Sequence, residues 1–113
     1  MTDYTPPITD MQFLLSDVLG FTHEDIGTET IEAILGEAGK LAAGVLAPIN
    51  TAGDEHGATL KNGHVTTAPG FKEAYAEYRD GGWNAVPFDP EYGGQGLPYA
   101  LAFPIQEMWQ SAN

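Results

Sequence analysis

The segment TETIEAILGEAGKLAAGVLAPI, residues 28–49, has the strongest periodic pattern in the chain. Its apolar residues recur at steps of three and four, which places them along one stripe of an α-helix. Glu29 and Glu32 lie near the start, where the helix dipole favours negative charge. The pattern predicts a long amphipathic helix that buries one side. The stripe contains Ile31, Ile34, Leu35, Ala38, Leu41, Ala42, Val45, Leu46 and Ile49.

Three glycines and one proline interrupt this helical segment. Gly36, Gly39 and Gly44 each cost roughly 1 kcal/mol relative to alanine in a helix interior. We expect them where a neighbouring helix packs closely. Pro48 is expected to bend or end the helix, because it lacks the N–H group of the helical hydrogen bond.

Three further segments show helical periodicity. The first spans 8–19, the next runs from Pro69 or Gly70 to Asp80, and the last spans 99–113. In the last segment Pro104 predicts either a late start or a kink.

The segments between the helices contain turn signals. Asn62-Gly63 is a favoured pair for a two-residue hairpin turn, so a small ribbon is expected from 58–61 and 64–67. Three prolines and three glycines within 83–98 predict irregular structure there. The fold class is therefore all-α, a four-helix bundle with a possible ribbon at 58–67.

The composition excludes several classes of protein. The chain has 113 residues, enough for one domain, and its 42% hydrophobic content argues against disorder. Sixteen acids face four bases, for a net charge of −12, whereas nucleic acids and anionic membranes require clustered Lys and Arg. The acidity indicates a solvated surface or, alternatively, a face that docks a basic partner. There is no cysteine, no secretory signal and no apolar run of membrane-spanning length, which fits a cytoplasmic location.

Two candidate ligand sites are weak in the sequence. Gly93–Gly96 is not preceded by a buried strand or followed by Lys and Ser or Thr, so we interpret it as a tight turn. His23, His56 and His64 lack convincing zinc spacing, and we predict no metal site.

No catalytic set emerges from the remaining polar residues. Glu107 lies on an otherwise apolar helical segment and is expected at a helix interface or paired with a base. Four aromatic residues flank the glycine loop and could stack on a flat ligand, although a core position is the simpler interpretation. They are Trp83, Tyr92, Tyr99 and Trp109.

GGWNAVPFDPEYGGQGLP, residues 81–98, resembles the N-terminal domain of the acyl-CoA dehydrogenase family. There a helix ends at Gly-Trp, and a loop that contains Pro-Glu followed by Gly-Gly-x-Gly comes next, here residues 90–96. The segment YTPPITDMQFLLSDVLG, 4–20, resembles the extension of a longer bacterial branch, the methylmercaptopropionyl-CoA dehydrogenase-like enzymes. EMWQSAN, 107–113, resembles the family's next helix. The resemblance implies an extension helix in 1–22 and a truncated N-terminal helical domain in 23–113.

The resemblance also implies a function for the parent protein. Members of the family use FAD to oxidise acyl-CoA thioesters between the α and β carbons, and an electron-transfer flavoprotein takes the electrons. The catalytic carboxylate and most flavin contacts lie beyond this chain, so no catalytic, cofactor or metal residue is expected here. The residues expected near the wall of the acyl pocket are Met108, Ser111, Ala112 and Asn113.

The chain alone is therefore expected to be inactive, without bound cofactor, and to expose an apolar face that drives association. The parent is expected to be a homo-oligomer. The alternative is a free-standing acidic helical module for protein interaction.

Overall fold

The computed structural model describes residues 3–113 and contains five α-helices and one two-stranded sheet within that range. Residues 1 and 2 of the predicted extension lie outside the described residues. The helices are α1 (Ile8–Phe13), α2 (Thr28–Leu41), α3 (Asn50–His56), α4 (Phe71–Asp80) and α5 (Tyr99–Ala112). The mostly helical fold confirms the predicted class.

Two of the predicted helices contain π-helical turns. α1 continues through a π-helical turn at Leu14–Val18, and α2 continues through another at Ala42–Leu46. A 3-10 turn at Ala47–Ile49 then leads directly into α3. Pro48 does not end the helical path, which continues to His56, but the winding changes beside it from the π-helical turn to the 3-10 turn. A bend at Pro48 stays a prediction. Pro48 lies in the first turn of the 3-10 segment, where its missing N–H group is tolerated.

The predicted ribbon is present as an antiparallel hairpin. Strand β1 (Thr59–Lys61) pairs with β2 (His64–Thr66), and Leu60 lies opposite Val65. Asn62 and Gly63 have φ values of 52° and 76°, as the predicted turn requires. Every residue of both strands is exposed, so the hairpin adds little to the core.

The segment predicted to be irregular contains two short 3-10 turns, Trp83–Ala85 and Pro90–Tyr92. In the last helix, Pro104 does not delay the start, because α5 begins at Tyr99 and runs past it to Ala112. The alternative expectation, a kink at Pro104, stays a prediction.

The core lies mainly between α2 and α5, with α1 and the 83–98 segment packed against them. Apolar residues at helical spacing from each element meet there and lose contact with water, which is the main stabilising contribution. The most deeply buried large side chains are Leu35, Leu101, Ile105 and Met108.

The molecule is flat, with extents of 52 × 37 × 17 Å. Its radius of gyration is 16.0 Å, compared with about 13 Å for a compact domain of this length. Within residues 3–113, no helix combines the length and the apolar character that crossing a membrane requires.

Candidate functional site

A groove with a volume of about 330 Å³ lies between α4, α5 and the turn that follows α2. Aromatic side chains from α4 and α5 form much of its lining, and amides from α5 add polar groups. The amides belong to Gln106, Gln110 and Asn113, which are spaced by four and three residues and so share one side of the helix. The other lining residues are Leu46, Ile49, Phe71, Ala74, Tyr75, Tyr78 and Trp109.

Asn113 connects two sides of this groove. Its Nδ2 donates a hydrogen bond of 2.9 Å to the Leu46 carbonyl oxygen, 67 positions earlier in the sequence. That carbonyl lies where the π-helical turn changes to the 3-10 turn, and the Asn50 N–H bonds to Ala47 instead. The Asn113 side chain therefore adds a long-range hydrogen bond to a carbonyl at the junction of the two turns.

The four residues predicted near the acyl pocket occupy different environments. Met108 and Ala112 are buried in the core, with exposed fractions of 0% and 5%. Ser111 and Asn113 are exposed, and of the four only Asn113 lines the groove. Because two positions correspond to about 200° around a helix, Ser111 faces away from Asn113.

Ser111 lies beside the N-terminal segment. Burial raises the pKa of Tyr4 above its ordinary value of 10.0, a hydrogen bond with Ser111 opposes this shift, and the charge of Glu107 adds to it. Glu107 is itself exposed, and neither ion pair within residues 3–113 involves it. Of the two alternatives expected for Glu107, the pairing with a base is not found within residues 3–113, and Tyr4 of the N-terminal segment is its neighbour.

The glycine loop is closed by internal hydrogen bonds. The backbone N–H groups of Gly93, Gly94, Gln95 and Gly96 donate to carbonyl groups within residues 85–90, at 2.9–3.1 Å. These amides are not free to bind a phosphate. The prediction that Gly93–Gly96 forms a tight turn is confirmed by this geometry.

Gly94 and Gln95 determine the shape of this loop. A Cβ at Gly94 would lie 2.0 Å from the Phe88 carbonyl oxygen, so a larger residue does not fit there. The Gln95 side chain reaches back and donates to the Gly82 carbonyl at 3.0 Å, which ties the loop to the end of α4. No local sequence pattern indicates this contact, because it joins residues thirteen positions apart across an irregular segment.

The histidines remain apart from one another. Residues 3–113 contain no group of three or more His, Asp or Glu side chains arranged to hold a metal ion. His23 Nδ1 accepts from the Asp25 N–H at 3.2 Å, and His56 Nδ1 lies 3.1 Å from the Ala52 carbonyl oxygen. His64 is exposed on β2. Their contacts are local and structural.

The four aromatic residues around the glycine loop divide into two pairs. Trp83 and Trp109 pack edge to face with ring centres 5.6 Å apart, and Trp109 is buried. Tyr92 and Tyr99 are exposed by 82% and 57%, and Tyr99 stacks obliquely on Phe103. The core interpretation therefore holds for the two tryptophans and not for the two tyrosines.

Tyr78 joins the tryptophan pair to the groove. Its ring lies edge to face with Trp109 at a centre distance of 6.0 Å. Burial, followed by the neighbouring Tyr75, raises the pKa of Tyr78 above 10.0. The groove is thus an apolar, aromatic-lined surface with amide groups on one side.

No protein-family profile matches the chain. Two curated relatives do match it along nearly its whole length. A 3-methylmercaptopropionyl-CoA dehydrogenase of Ruegeria pomeroyi is 32% identical over 97% of the chain. The broad-specificity linear acyl-CoA dehydrogenase FadE5 of Mycobacterium tuberculosis is 27% identical over 100% of it. The chain spans 20% of the length of each relative.

The fold and the glycine loop define a small helical unit. The two relatives identify the family to which this unit is similar. The chain resembles a fragment of the acyl-CoA dehydrogenases.

Proposed function

We propose that this chain is the N-terminal part of an FAD-dependent acyl-CoA dehydrogenase that catalyses α,β-dehydrogenation of acyl-CoA thioesters. The observation that carries the proposal is the 32% identity to the Ruegeria enzyme over 97% of the chain. In this proposal 1–22 is an extension containing α1, and 23–113 is a truncated helical domain.

The surface of the molecule supports this role. Large apolar side chains remain more than half exposed on several elements, although a folded monomer normally shows few contiguous apolar patches. In a longer protein these surfaces would pack against further domains. They include Tyr75 on α4, and Tyr99 and Phe103 on α5.

In the longer protein, this chain would help to shape the acyl pocket. Met108 and Ala112 anchor α5 in the core, while Ser111 and Asn113 reach its surface. We propose that these four residues support the beginning of the acyl-pocket wall. The side chains that select the acyl group would then follow further along the longer protein.

We place the flavin on the remainder of that protein. Support comes from the backbone N–H groups of Gly93–Gly96, which all donate hydrogen bonds to carbonyl groups of residues 85–90. A diphosphate needs free N–H donors or bases. When bound, FAD would accept the hydride from the substrate. We propose that the chain alone has no turnover, because the base lies elsewhere.

The proposed partners follow from the same assignment. The longer protein would bind acyl-CoA, transfer electrons to an electron-transfer flavoprotein and form a homo-oligomer in the cytoplasm.

The test compares this chain with the product of the reading frame that contains it. If the reading frame continues, the longer protein should purify with flavin absorbance and reduce an artificial electron acceptor when given acyl-CoA thioesters. The 113-residue chain should be colourless and inert. A longer product without flavin or activity, or turnover by the chain alone, would contradict the proposal.

The second candidate is a free-standing acidic module for protein interaction. The net charge of −12 together with the exposed apolar side chains favours it. A stop codon directly after Asn113 in the genome would decide for this candidate.

A further inference from the structure

The segment that leads into α1 is extended and lies against the rest of the chain. Residues 3–7 form neither helix nor strand, and Pro6 and Pro7 each restrict their own backbone φ angle. Exposure alternates along this segment, because Tyr4, Pro6 and Ile8 are half-buried whereas the residues between them are exposed. Alternation with a period of two is typical of an extended segment that turns one side toward a surface.

Two of the half-buried residues contact α2 at Gly39. A Cβ at Gly39 would lie 3.1 Å from Ile8 Cδ1 and 3.3 Å from the Cβ and Cγ of Pro6. Carbon atoms in good contact lie about 3.5–4.0 Å apart, so the segment approaches the helix more closely than a side chain at position 39 would allow. Gly39 is itself buried. The segment therefore rests directly on the backbone of α2.

The third half-buried residue, Tyr4, lies beside α5. Its side chain packs against the buried core. Ser111 of α5 forms a hydrogen bond with the Tyr4 phenol, and the charge of Glu107 acts on the same group. Because Glu107 and Ser111 are four positions apart, they share one side of α5. Tyr4 therefore lies along the end of that helix.

The segment connects the two helices between which the core lies. α2 and α5 pack against each other, and the segment crosses from one to the other. We propose that residues 4–8 form a strap that holds the end of α5 against α2, with Tyr4 bound to α5 and with Pro6 and Ile8 bound to α2. This inference does not depend on the proposed enzymatic function.

Two features make such a strap effective. The carbonyl groups in the last turn of a helix lack internal hydrogen-bond partners, so that turn opens more readily than the middle of the helix. The two prolines reduce the conformational freedom that the strap loses when it lies on the helices. Release of the strap should therefore loosen the end of α5 locally, before the rest of the fold opens.

Native-state amide hydrogen exchange of the 113-residue chain, measured by mass spectrometry, tests the strap. Tyr4→Ala should raise the exchange rate of residues 105–112 about tenfold, because it removes a half-buried ring and its hydrogen bond. Thr5→Ala is the matched control, since Thr5 is the exposed neighbour and its substitution should leave that rate unchanged. Equal rates in the two variants would overturn the proposal.

Exchange in α4 separates local release from general destabilisation. Residues 71–80 should exchange at the same rate in Tyr4→Ala as in the wild type, because the strap is bound to α2 and α5. If residues 71–80 and 105–112 accelerate by the same factor, Tyr4 stabilises the fold as a whole. That result would overturn the assignment of a separate strap.

The two prolines test whether the contact with α2 reaches α5. Pro6→Ala and Pro7→Ala each remove one backbone restriction, but Pro6 lies against Gly39 whereas Pro7 is exposed. Pro6→Ala should therefore raise the exchange rate of residues 105–112 about threefold more than Pro7→Ala does. Equal effects would mean that only the stiffness of the segment matters, and they would contradict a strap between the two helices.

The hydroxyl groups of Tyr4 and Ser111 test the contact with α5. Tyr4→Phe should raise the exchange rate of residues 105–112 about threefold in the wild-type background, which is the usual effect of losing one hydrogen bond. In a Ser111→Ala background the same substitution should have no effect, because the partner is absent. An equal effect of Tyr4→Phe in both backgrounds would show that Tyr4 does not hold α5 through Ser111, and the proposal would fail.

Discussion

Three glycines in the long helix have different neighbours. A Cβ at Gly39 would lie 3.1 Å from Ile8 Cδ1 and 3.3 Å from Pro6, whereas Gly36 and Gly44 face open space. The expected close packing thus occurs at one position of the three. It comes from the segment leading into α1 and from the first residue of α1. Gly39 therefore allows the N-terminal segment to lie directly on α2.

Alanine substitution should separate these roles. Gly36→Ala should raise the free energy of unfolding by about 0.5–1 kcal/mol, because alanine favours the helix and meets no neighbour there. Gly39→Ala gains the same helix preference but must displace Pro6 and Ile8, so its stability should fall roughly 1 kcal/mol below that of Gly36→Ala. Urea unfolding followed by circular dichroism measures both. Equal effects would mean that the N-terminal segment is not held at Gly39.

Two partly buried tyrosines are expected to make the folded chain less stable in alkali. The pKa values of Tyr4 and Tyr78 are raised above 10.0, in both cases chiefly by burial, so the folded state favours the neutral phenols. The stabilising contribution is complete below pH 10 and is lost as pH rises through the folded pKa values. The double variant Y4F/Y78F should lose less stability between pH 9 and strongly alkaline solution than the wild type. Parallel pH profiles from urea titrations would contradict this assignment.

At the scale of elements, the path from α2 to α3 depends on changes in helical winding. The π-helical turn Ala42–Leu46 and the 3-10 turn Ala47–Ile49 carry the chain past Pro48 without a break. The Leu46 carbonyl at their junction then accepts the Asn113 side chain. This hydrogen bond links the end of α5 to the middle of the long helical segment.

Removing that link should loosen the groove. Asn113→Ala should lower the free energy of unfolding by about 1 kcal/mol, the usual net value of one hydrogen bond. Gln110→Ala is the matched control, because Gln110 lines the same groove. Within residues 3–113 the Gln110 side chain makes no hydrogen bond, unlike that of Asn113. The effect of Gln110→Ala should be smaller. Thermal unfolding measures the stability of the two variants. Equal destabilisation would show that the Asn113 hydrogen bond is dispensable.

The sequence predicted the elements better than their long-range contacts. The hairpin followed from Asn62-Gly63, and the core stripe of α5 followed from its period, because both signals are local. That stripe also contains Met108 and Ala112, and both are buried together with Leu101 and Ile105. The Gln95 and Asn113 side-chain contacts were not predictable, because they join distant segments whose proximity only the fold establishes.

At the scale of the whole molecule, a thin shape and a high charge act in opposite directions. A thickness of 17 Å leaves little room for a second layer of helices, so apolar side chains such as Phe88 and Phe103 remain more than half exposed. Their hydrophobic contribution favours association. The net charge of −12 opposes it, because two copies of the chain repel each other. The balance between these two terms should set the association state of the isolated chain.

Salt should therefore control that association state. At about 0.01 M ionic strength the Debye length is about 30 Å, longer than the molecule is thick, and repulsion between copies should keep the chain monomeric. At about 1 M the Debye length falls to about 3 Å, the repulsion is screened, and the exposed apolar surfaces should drive the formation of larger species. Sulfate should act more strongly than chloride at equal ionic strength, because it also strengthens apolar association. Sedimentation velocity measures the distribution, and Phe103→Gln should shift the onset of association to higher salt. A monomer under all these conditions would show that the exposed apolar residues do not form an adhesive surface, and it would remove one support for a missing packing partner.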